Sequence, residues 1–307
     1  MKKQTKFTAL CAALSTAFLA FSVQAKDVTV DTFTGQQTIP HNPQRVVVLE
    51  FALLDDLREL GLKDRVVGSV KGKIPSYLSE FADDKYANMG TMPEPNFEKI
   101  NEVAPDLIIA SGRMQKNIDR LKEIAPVLYL ENDYNDYYGR LKKNIFALAK
   151  VFDKEAVAEE KLASLDKQIS SLAQLTKGKT ALVTIVNESR ISAFGDQSRY
   201  AMVYKNFGFS PIDNNLTAST HGNSVSFEYI AEKNPDYLLV VDRTAAVTDK
   251  VNNAQMVLDN AIVNKTKAAQ QHHIIYLNAQ NWYLAFGGLK STEIMVDEVS
   301  SVMKAKP

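Results

Sequence analysis

The alternation of apolar runs with amphipathic segments predicts a chain of buried strands and covering helices. The β-branched run RVVVLE, residues 45–50, is typical of a buried parallel strand. FALLDDLRELGL follows with apolar residues at helical spacing and places Gly61 where the helix should stop. RVVGSV then predicts a second strand. Strands that alternate with helices in this way indicate a parallel α/β sheet.

The same alternation begins again near residue 180. KTALVTIVN predicts a first strand and YAMVYKNFGF a helix, while HHIIYLN and STEIMVDEVSSVMK predict a late strand and a closing helix. Between the two halves an apolar stripe at helical spacing predicts an amphipathic helix over residues 154–175, with Asp153 as its cap. At about 1.5 Å per residue this helix would be roughly 33 Å long, a stiff brace between two lobes.

One unit of sequence occurs twice without a gap. FEKINEVAPDLIIASGR spans residues 97–113, and FEYIAEKNPDYLLVVDR spans residues 227–243, an offset of 130 positions at both ends. Each copy predicts a short helix that cannot continue through its proline, then a strand, then an arginine. Arg113 and Arg243 therefore follow the carboxyl ends of equivalent strands, which is where open parallel sheets bind ligands.

The fold class we predict is α/β, with two Rossmann-like lobes of mostly parallel sheets joined by one long α-helix and a ligand cleft between them. The expected divisions are an export signal over residues 1–25, an amino-terminal lobe over 26–152, the helix over 153–176 and a carboxyl-terminal lobe over 177–307.

The first residues are typical of a cleaved export signal. Three lysines precede the apolar run TALCAALSTAFLAF, and small residues surround a cleavage site after Ala25. Removing this segment removes the one cysteine, Cys11, and leaves 33 basic against 36 acidic residues, a net charge of −3. That balance disfavours a nucleic-acid partner. We expect a soluble monomer in a bacterial periplasm.

The candidate binding residues are mostly cationic or aromatic. Arg199, in GDQSRYAM, is expected to join Arg113 and Arg243 in a pocket for a compact anion, since each guanidinium is a rigid fork of donors. His221 precedes the second copy of the repeat, and Trp282 and Tyr283 lie in NWYLAFGG beyond a strand end. Imidazole and phenolate both suit Fe(III).

No common catalytic motif stands out in the chain. It has no G-x-S-x-G elbow and no H-E-x-x-H pair, and its carboxylates show no acid–base spacing. Glu98 and Glu228 each open a helix, where a carboxylate offsets the positive helix end. They also place one exposed glutamate on each lobe, a matched pair for a two-fold symmetric partner.

At these motifs the chain resembles the periplasmic substrate-binding proteins of ABC importers for ferric siderophores, the helical-backbone class III family. PQRVVVLEFALLDDLRELGL, GTMPEPNFEKINEVAPDLIIASGR and SFEYIAEKNPDYLLVVDR carry the resemblance, which is closest to members that bind catecholates of the enterobactin type. The resemblance implies a ferric catecholate siderophore as ligand, no permanently bound cofactor and no catalysis.

The resemblance also implies roles for single residues. The arginines at 113, 199 and 243 would surround the ferric complex, and Trp282 is expected at the same site because it adjoins Tyr283 in the sequence. His221 and Tyr283 would complete the coordination of iron when the siderophore offers four donors. Glu98 and Glu228 would dock on an inner-membrane permease dimer.

Two other functions remain open from the residues alone. A carrier of haem or cobalamin would use the same fold, although haem would need fewer arginines. An exported enzyme would use His221 and Tyr283 as acid and base.

Overall fold

The computed structural model describes residues 27–305, and the expected export signal lies outside them. The amino-terminal lobe contains strands β1 (Asp27–Thr32), β2 (Gly35–Pro40), β3 (Val46–Val48), β4 (Val66–Ser69), β5 (Ala87–Asn88), β6 (Leu107–Ala110) and β7 (Val127–Tyr129). Its helices are α1 (Phe51–Glu59), α2 (Phe97–Glu102), α3 (Ile118–Lys122) and α4 (Tyr137–Val151), with 3₁₀ turns at Lys63–Arg65, Ser76–Ala82 and Gly112–Asn117. No helix within residues 27–305 combines the length and apolar character of a membrane span.

The central sheet of this lobe has the strand order β5-β4-β3-β6-β7, and all its pairs are parallel. Each residue of β3 and β6 is buried, as the continuous β-branched and aliphatic runs predicted. The helix α1 follows β3 directly and ends where Gly61 adopts a φ of +74°, a left-handed conformation that suits glycine.

A single helix, α5 (Glu155–Thr176), connects the two lobes. The predicted stripe is buried along it: Ala158, Leu162, Leu165, Ile169 and Leu172. The prediction that Asp153 caps this helix is wrong. Asp153 adopts a φ of +54° in the turn before α5, and its carboxylate pairs with His41 at 3.0 Å. Helix α5 begins after Lys154 without a side-chain cap.

The carboxyl-terminal lobe contains strands β8 (Thr180–Asn187), β9 (Arg190–Phe194), β10 (Ser210–Pro211), β11 (Asn223–Val225), β12 (Tyr237–Asp242) and β13 (Ile274–Leu277). Its helices are α6 (Ala201–Lys205), α7 (Phe227–Lys233), α8 (Arg243–Val247), α9 (Asn253–Leu258), α10 (Lys267–Gln270) and α11 (Leu289–Lys304), with a 3₁₀ turn at Val263–Lys265 and a π-helical turn at Gln280–Leu284.

The sheet of the second lobe is mixed. Its order is β11-β9-β8-β12-β13, with β10 paired to the start of β8. The pairs of β8 with β12 and of β12 with β13 are parallel, but β9 runs antiparallel to both of its neighbours, β8 and β11. A hairpin at Glu188 turns the chain from β8 into β9, and its φ of +54° makes the tight connection.

The last helix, α11, contacts the first lobe as well as the connecting helix, because it packs on both α1 and α5. Two fully buried carboxylates of α1 accept hydrogen bonds from its first turn: Asp56 Oδ1 from the amide of Leu289 at 2.8 Å, and Asp55 Oδ2 from that of Ser291 at 2.8 Å. One hydrophobic core therefore runs from the amino-terminal lobe through α5 into the second lobe.

Candidate ligand-binding site between the lobes

A cavity of about 1050 Å³ lies between the two lobes. Residues after the carboxyl ends of β3, β6 and β7 line one wall, and residues from the ends of β8 and β12 line the other. This is the edge at which open α/β sheets bind ligands. The expected cleft is therefore present in the described residues.

Tyr283 is the point on which the three predicted arginines converge. Arg113 Nη2 and Arg199 Nη2 each donate to the backbone oxygen of Tyr283 at 3.0 Å. Arg243 Nε donates to the phenolic oxygen of the same residue at 2.7 Å. The three guanidinium carbons lie 5.7, 5.1 and 5.5 Å from its ring centroid. All four residues line the cavity and form one cationic surface around one aromatic ring.

The internal repeat explains why two of these arginines occupy matching positions. Asp106 accepts from the amide of Arg45 at the start of the strand beside it, and Asp236 accepts from that of Thr180 in the same way, both at 2.8 Å. Each proline is preceded by a residue of positive φ, +43° at position 104 and +46° at position 234. The two copies thus have the same helix-to-strand turn, and each delivers its arginine past a strand end.

Further contacts hold these arginines in place. Arg113 Nε lies 3.4 Å from Glu50 Oε2, a buried carboxylate that also accepts from Ser111. Arg243 Nη1 donates to Asn187 Oδ1 at 2.8 Å, across the end of β8. Charge-assisted hydrogen bonds of this kind fix a guanidinium in one orientation. The protein's own residues therefore hold Arg113 and Arg243 in position on the cationic surface.

Tyr283 lies in the π-helical turn Gln280–Leu284. Such turns are rare and occur often at functional sites. The same turn corrects the expectation for Trp282, whose side chain is fully buried and does not line the cavity. Its indole Nε1 donates to Glu298 Oε2 at 2.7 Å, and its ring packs among Tyr200, Phe207 and Phe286. Adjacent residues in a helical turn point in different directions, so Tyr283 reaches the cavity wall and Trp282 does not.

His221 lies on an exposed loop that lines the same cavity. Gly222 beside it has a φ of +75°, and a Cβ at this position would lie 2.7 Å from the ring of Phe194. Only glycine meets both conditions, so Gly222 sets the turn that presents His221. The structure thus brings His221 and Tyr283 to one cavity, and their joint binding of iron stays a prediction.

Glu98 and Glu228 are both exposed, and neither lines the cavity. Each is the second residue of its helix, α2 or α7. The helix starts are also equivalent, because Asn96 caps α2 and Ser226 caps α7 with a side-chain oxygen. Hydrogen bonds from its own amide and from Ser226 lower the pKa of Glu228 below its ordinary value. The role of the pair in docking stays a prediction.

Several lining residues were not foreseen. They include a fourth arginine, Arg190, and the polar residues Glu50, Asp56, Glu131, Asp133 and Asn144. Glu50 ends the run RVVVLE and Glu131 ends PVLYLE, so both follow the carboxyl end of a predicted strand. The strand-end argument that selected the arginines would also have selected these two carboxylates.

The sequence also matches a known family. The model of the periplasmic binding protein family matches residues 46–281 of this chain. A petrobactin-binding protein of Bacillus subtilis is 43% identical over 263 residues, which cover 85% of this chain and 83% of that protein.

Solved structures agree with the family match. The crystal structure of the Bacillus subtilis petrobactin-binding protein has a TM-score of 0.88 at 40% identity, covering 92% of this chain and all of that one (100%). The periplasmic catecholate-siderophore binding protein of Vibrio cholerae has a TM-score of 0.85 at 35% identity, covering 90% and 100%.

Proposed function

The chain belongs to the periplasmic binding protein family, and on that premise we propose that it captures a ferric catecholate siderophore for an ABC importer. The observation that carries the proposal is the convergence of Arg113, Arg199 and Arg243 on Tyr283 in the cavity between the lobes. The relatives support the ligand class, since one is named for petrobactin and another for catecholate siderophores.

The charge of the cavity suits such a ligand. A ferric tris-catecholate is a compact trianion, and three guanidinium groups on one surface can neutralise it. A partly shielded charge-assisted hydrogen bond contributes about 1.5–3 kcal/mol to the free energy of binding. Tyr283 and Phe286 line the same cavity and offer apolar surface to catechol rings.

The site also offers two protein ligands for the ferric ion itself. A tetradentate siderophore leaves two positions of an octahedral ferric ion open, and His221 with Tyr283 would fill them. A phenolate at position 283 would keep the hydrogen bond that Arg243 now donates to the hydroxyl oxygen. Iron is cargo here and leaves with the siderophore.

Binding and coordination can be tested separately. We expect tryptophan fluorescence quenching on titration with ferric tetradentate and hexadentate catecholates, because Trp282 adjoins Tyr283. Arg243→Ala should weaken both affinities by about tenfold or more, the effect of one charge-assisted hydrogen bond. Arg65→Ala, an arginine outside the cavity, is the matched control. No response to any ferric catecholate would refute the proposal.

The role of the two protein ligands has its own spectroscopic test. Direct coordination predicts that the charge-transfer band of a ferric tetradentate catecholate shifts on binding. The double variant His221→Ala/Tyr283→Phe should abolish that shift while the hexadentate complex still binds. An unchanged spectrum in the double variant would exclude coordination and leave the binding function intact.

Delivery is proposed to use Glu98 and Glu228 against a permease dimer. The variant Glu98→Ala/Glu228→Ala should keep its siderophore affinity and fail to stimulate the ATPase of the reconstituted importer. The control variant is Glu102→Ala/Glu232→Ala, because these two glutamates lie four residues further on in the same helices and are also exposed. Equal stimulation by both double variants would remove the docking role.

We propose that the protein acts outside the cytoplasm, which is supported by a relative that is described as periplasmic. We propose that residues 1–25 are an export signal that is cleaved after Ala25. The amino terminus of the protein purified from the periplasm should then be Lys26, which mass spectrometry of the intact chain would establish.

A further inference from the structure

The two walls of the cavity carry opposite charges. Arg190, Arg199 and Arg243 lie on the wall of the carboxyl-terminal lobe. The opposite wall contains Glu50, Asp56, Glu131 and Asp133 as well as Arg113. Glu50 is paired with Arg113, so its charge is compensated. Asp56 is buried and accepts from the amide of Leu289. The carboxylates of Glu131 and Asp133 remain on a cavity whose proposed ligand is an anion.

Those two carboxylates are not neutralised by the part of the chain that the structure describes. Glu131 Oε2 accepts from the hydroxyl of Tyr129 at 2.9 Å, and Asp133 Oδ1 accepts from the amide of Asn135 at 2.8 Å. Within residues 27–305 neither carboxylate forms an ion pair, whereas Glu50 on the same wall does. Each keeps one carboxylate oxygen that accepts from no described group.

Beside them lies a buried side-chain amide, that of Asn144, whose oxygen lacks a hydrogen-bond donor within residues 27–305. Asn144, on α4, lines the cavity and is only 5% exposed. Its Nδ2 donates to the backbone oxygen of Glu131 at 3.1 Å, which fixes the orientation of the amide. Its Oδ1 then has no hydrogen-bond partner within residues 27–305. A buried acceptor without a donor is rare and costly in a folded protein.

The residues Glu131, Asp133 and Asn144 form what we call the acidic corner of the cavity. It offers acceptors and negative charge, so it repels the anionic centre of a ferric catecholate. A protonated amine supplies what the corner lacks, a positive charge and several N–H donors. Phe33 and Tyr134 line the same wall, and aromatic rings also favour an ammonium group.

We propose that the acidic corner binds a protonated amine of the siderophore. This inference rests on the proposed function and narrows it: the preferred cargo is a ferric catecholate whose linker carries ammonium groups. The arginines around Tyr283 hold the anionic iron centre, and the acidic corner holds the cationic linker. A catecholate with an uncharged scaffold leaves the corner unpaired and binds less tightly.

A matched pair of ligands tests the assignment. Two ferric bis-catecholates of equal linker length would be titrated, one with secondary amines and one with the same amines acetylated. The wild-type protein should bind the amine form about tenfold to a hundredfold more tightly, the effect of a charge-assisted hydrogen bond. Raised salt should reduce that preference.

The double variant Glu131→Gln/Asp133→Asn should lose the preference for the amine form over the acetylated form. Glu123→Gln, an exposed carboxylate outside the cavity, should leave both affinities unchanged. Equal wild-type affinity for the two ligands overturns the assignment and leaves the proposed function standing. Binding of calcium to the wild-type protein without siderophore, lost in the double variant, also overturns it, because the corner would then hold a metal ion. Failure of both ligands to bind would overturn the proposed function as well.

Discussion

The replacement of Asp55 by asparagine should change how the stability of the protein depends on pH. Asp55 lies fully buried at the contact between α1 and α11. Its Oδ2 accepts from the amide of Ser291 and, at 3.2 Å, from the hydroxyl of Tyr77, while Oδ1 has no partner within residues 27–305. Burial, and secondarily the negative charge of Glu59, raises the pKa of Asp55 from 3.8 to about 7.

The sign and size of the effect follow from that pKa. The folded state holds its proton more tightly than the unfolded state, so the proton stabilises the fold at low pH. This contribution is complete below about pH 4 and is lost as the pH rises through about 7. Between pH 5 and pH 8 the loss is about 2–3 kcal/mol, since one pKa unit corresponds to about 1.4 kcal/mol. Asparagine is neutral at every pH, so the variant lacks this pH-dependent contribution to the free energy of unfolding.

Urea unfolding at pH 5 and pH 8 measures the free energy of unfolding for both proteins. The difference between variant and wild type should shift by about 2–3 kcal/mol in favour of Asp55→Asn at the higher pH. Asp84→Asn, an exposed carboxylate, is the control and should leave the wild-type pH dependence unchanged. Equal pH dependence in wild type and Asp55→Asn would show that Asp55 does not hold its proton in the fold.

Three further predictions concern the cavity and its support. Gly222→Ala forces a Cβ to within 2.7 Å of Phe194 at a φ of +75°, so it should displace the His221 loop. Titration should then show a larger loss of affinity for tetradentate than for hexadentate ferric catecholates, and equal losses would separate the loop from iron coordination. Trp282→Phe removes a donor to the half-buried Glu298 carboxylate, so it should lower the free energy of unfolding by about 1–3 kcal/mol and leave ligand affinity, measured by absorbance, unchanged. Arg243→Lys keeps the charge but loses the planar fork that reaches two acceptors, so calorimetry should show affinity about tenfold weaker; wild-type affinity would mean that charge alone is sufficient.

Much of the fold was predictable because local patterns and topology agree in it. The repeat predicted two equivalent helix–strand units, and the caps of Asn96 and Ser226 and the turns before the two prolines bear this out. Placement beyond strand ends then brought Arg113 and Arg243 into one cavity. The long helix was predictable from its apolar stripe alone.

The places where the structure differs from the sequence-based expectations have physical causes as well. Trp282 was expected beside Tyr283 in the cavity, but the direction of each side chain depends on a π-helical turn that single-sequence periodicity does not reveal. Asp153 is a common capping residue, and a positive φ turned it toward His41 instead. Asn144 lies on α4, a helix that joins the cavity only through tertiary packing, so no local pattern marks it as a lining residue.

The position of α11 has a consequence for the order in which the protein matures. This helix supplies the amides that Asp55 and Asp56 of the amino-terminal lobe accept, yet it lies at residues 289–304, more than 230 positions later in the chain. The amino-terminal lobe therefore cannot complete its packing until the last helix of the chain has been synthesised. Such a delay suits the export that we propose, because Asp55 and Asp56 lack these amide donors until α11 arrives.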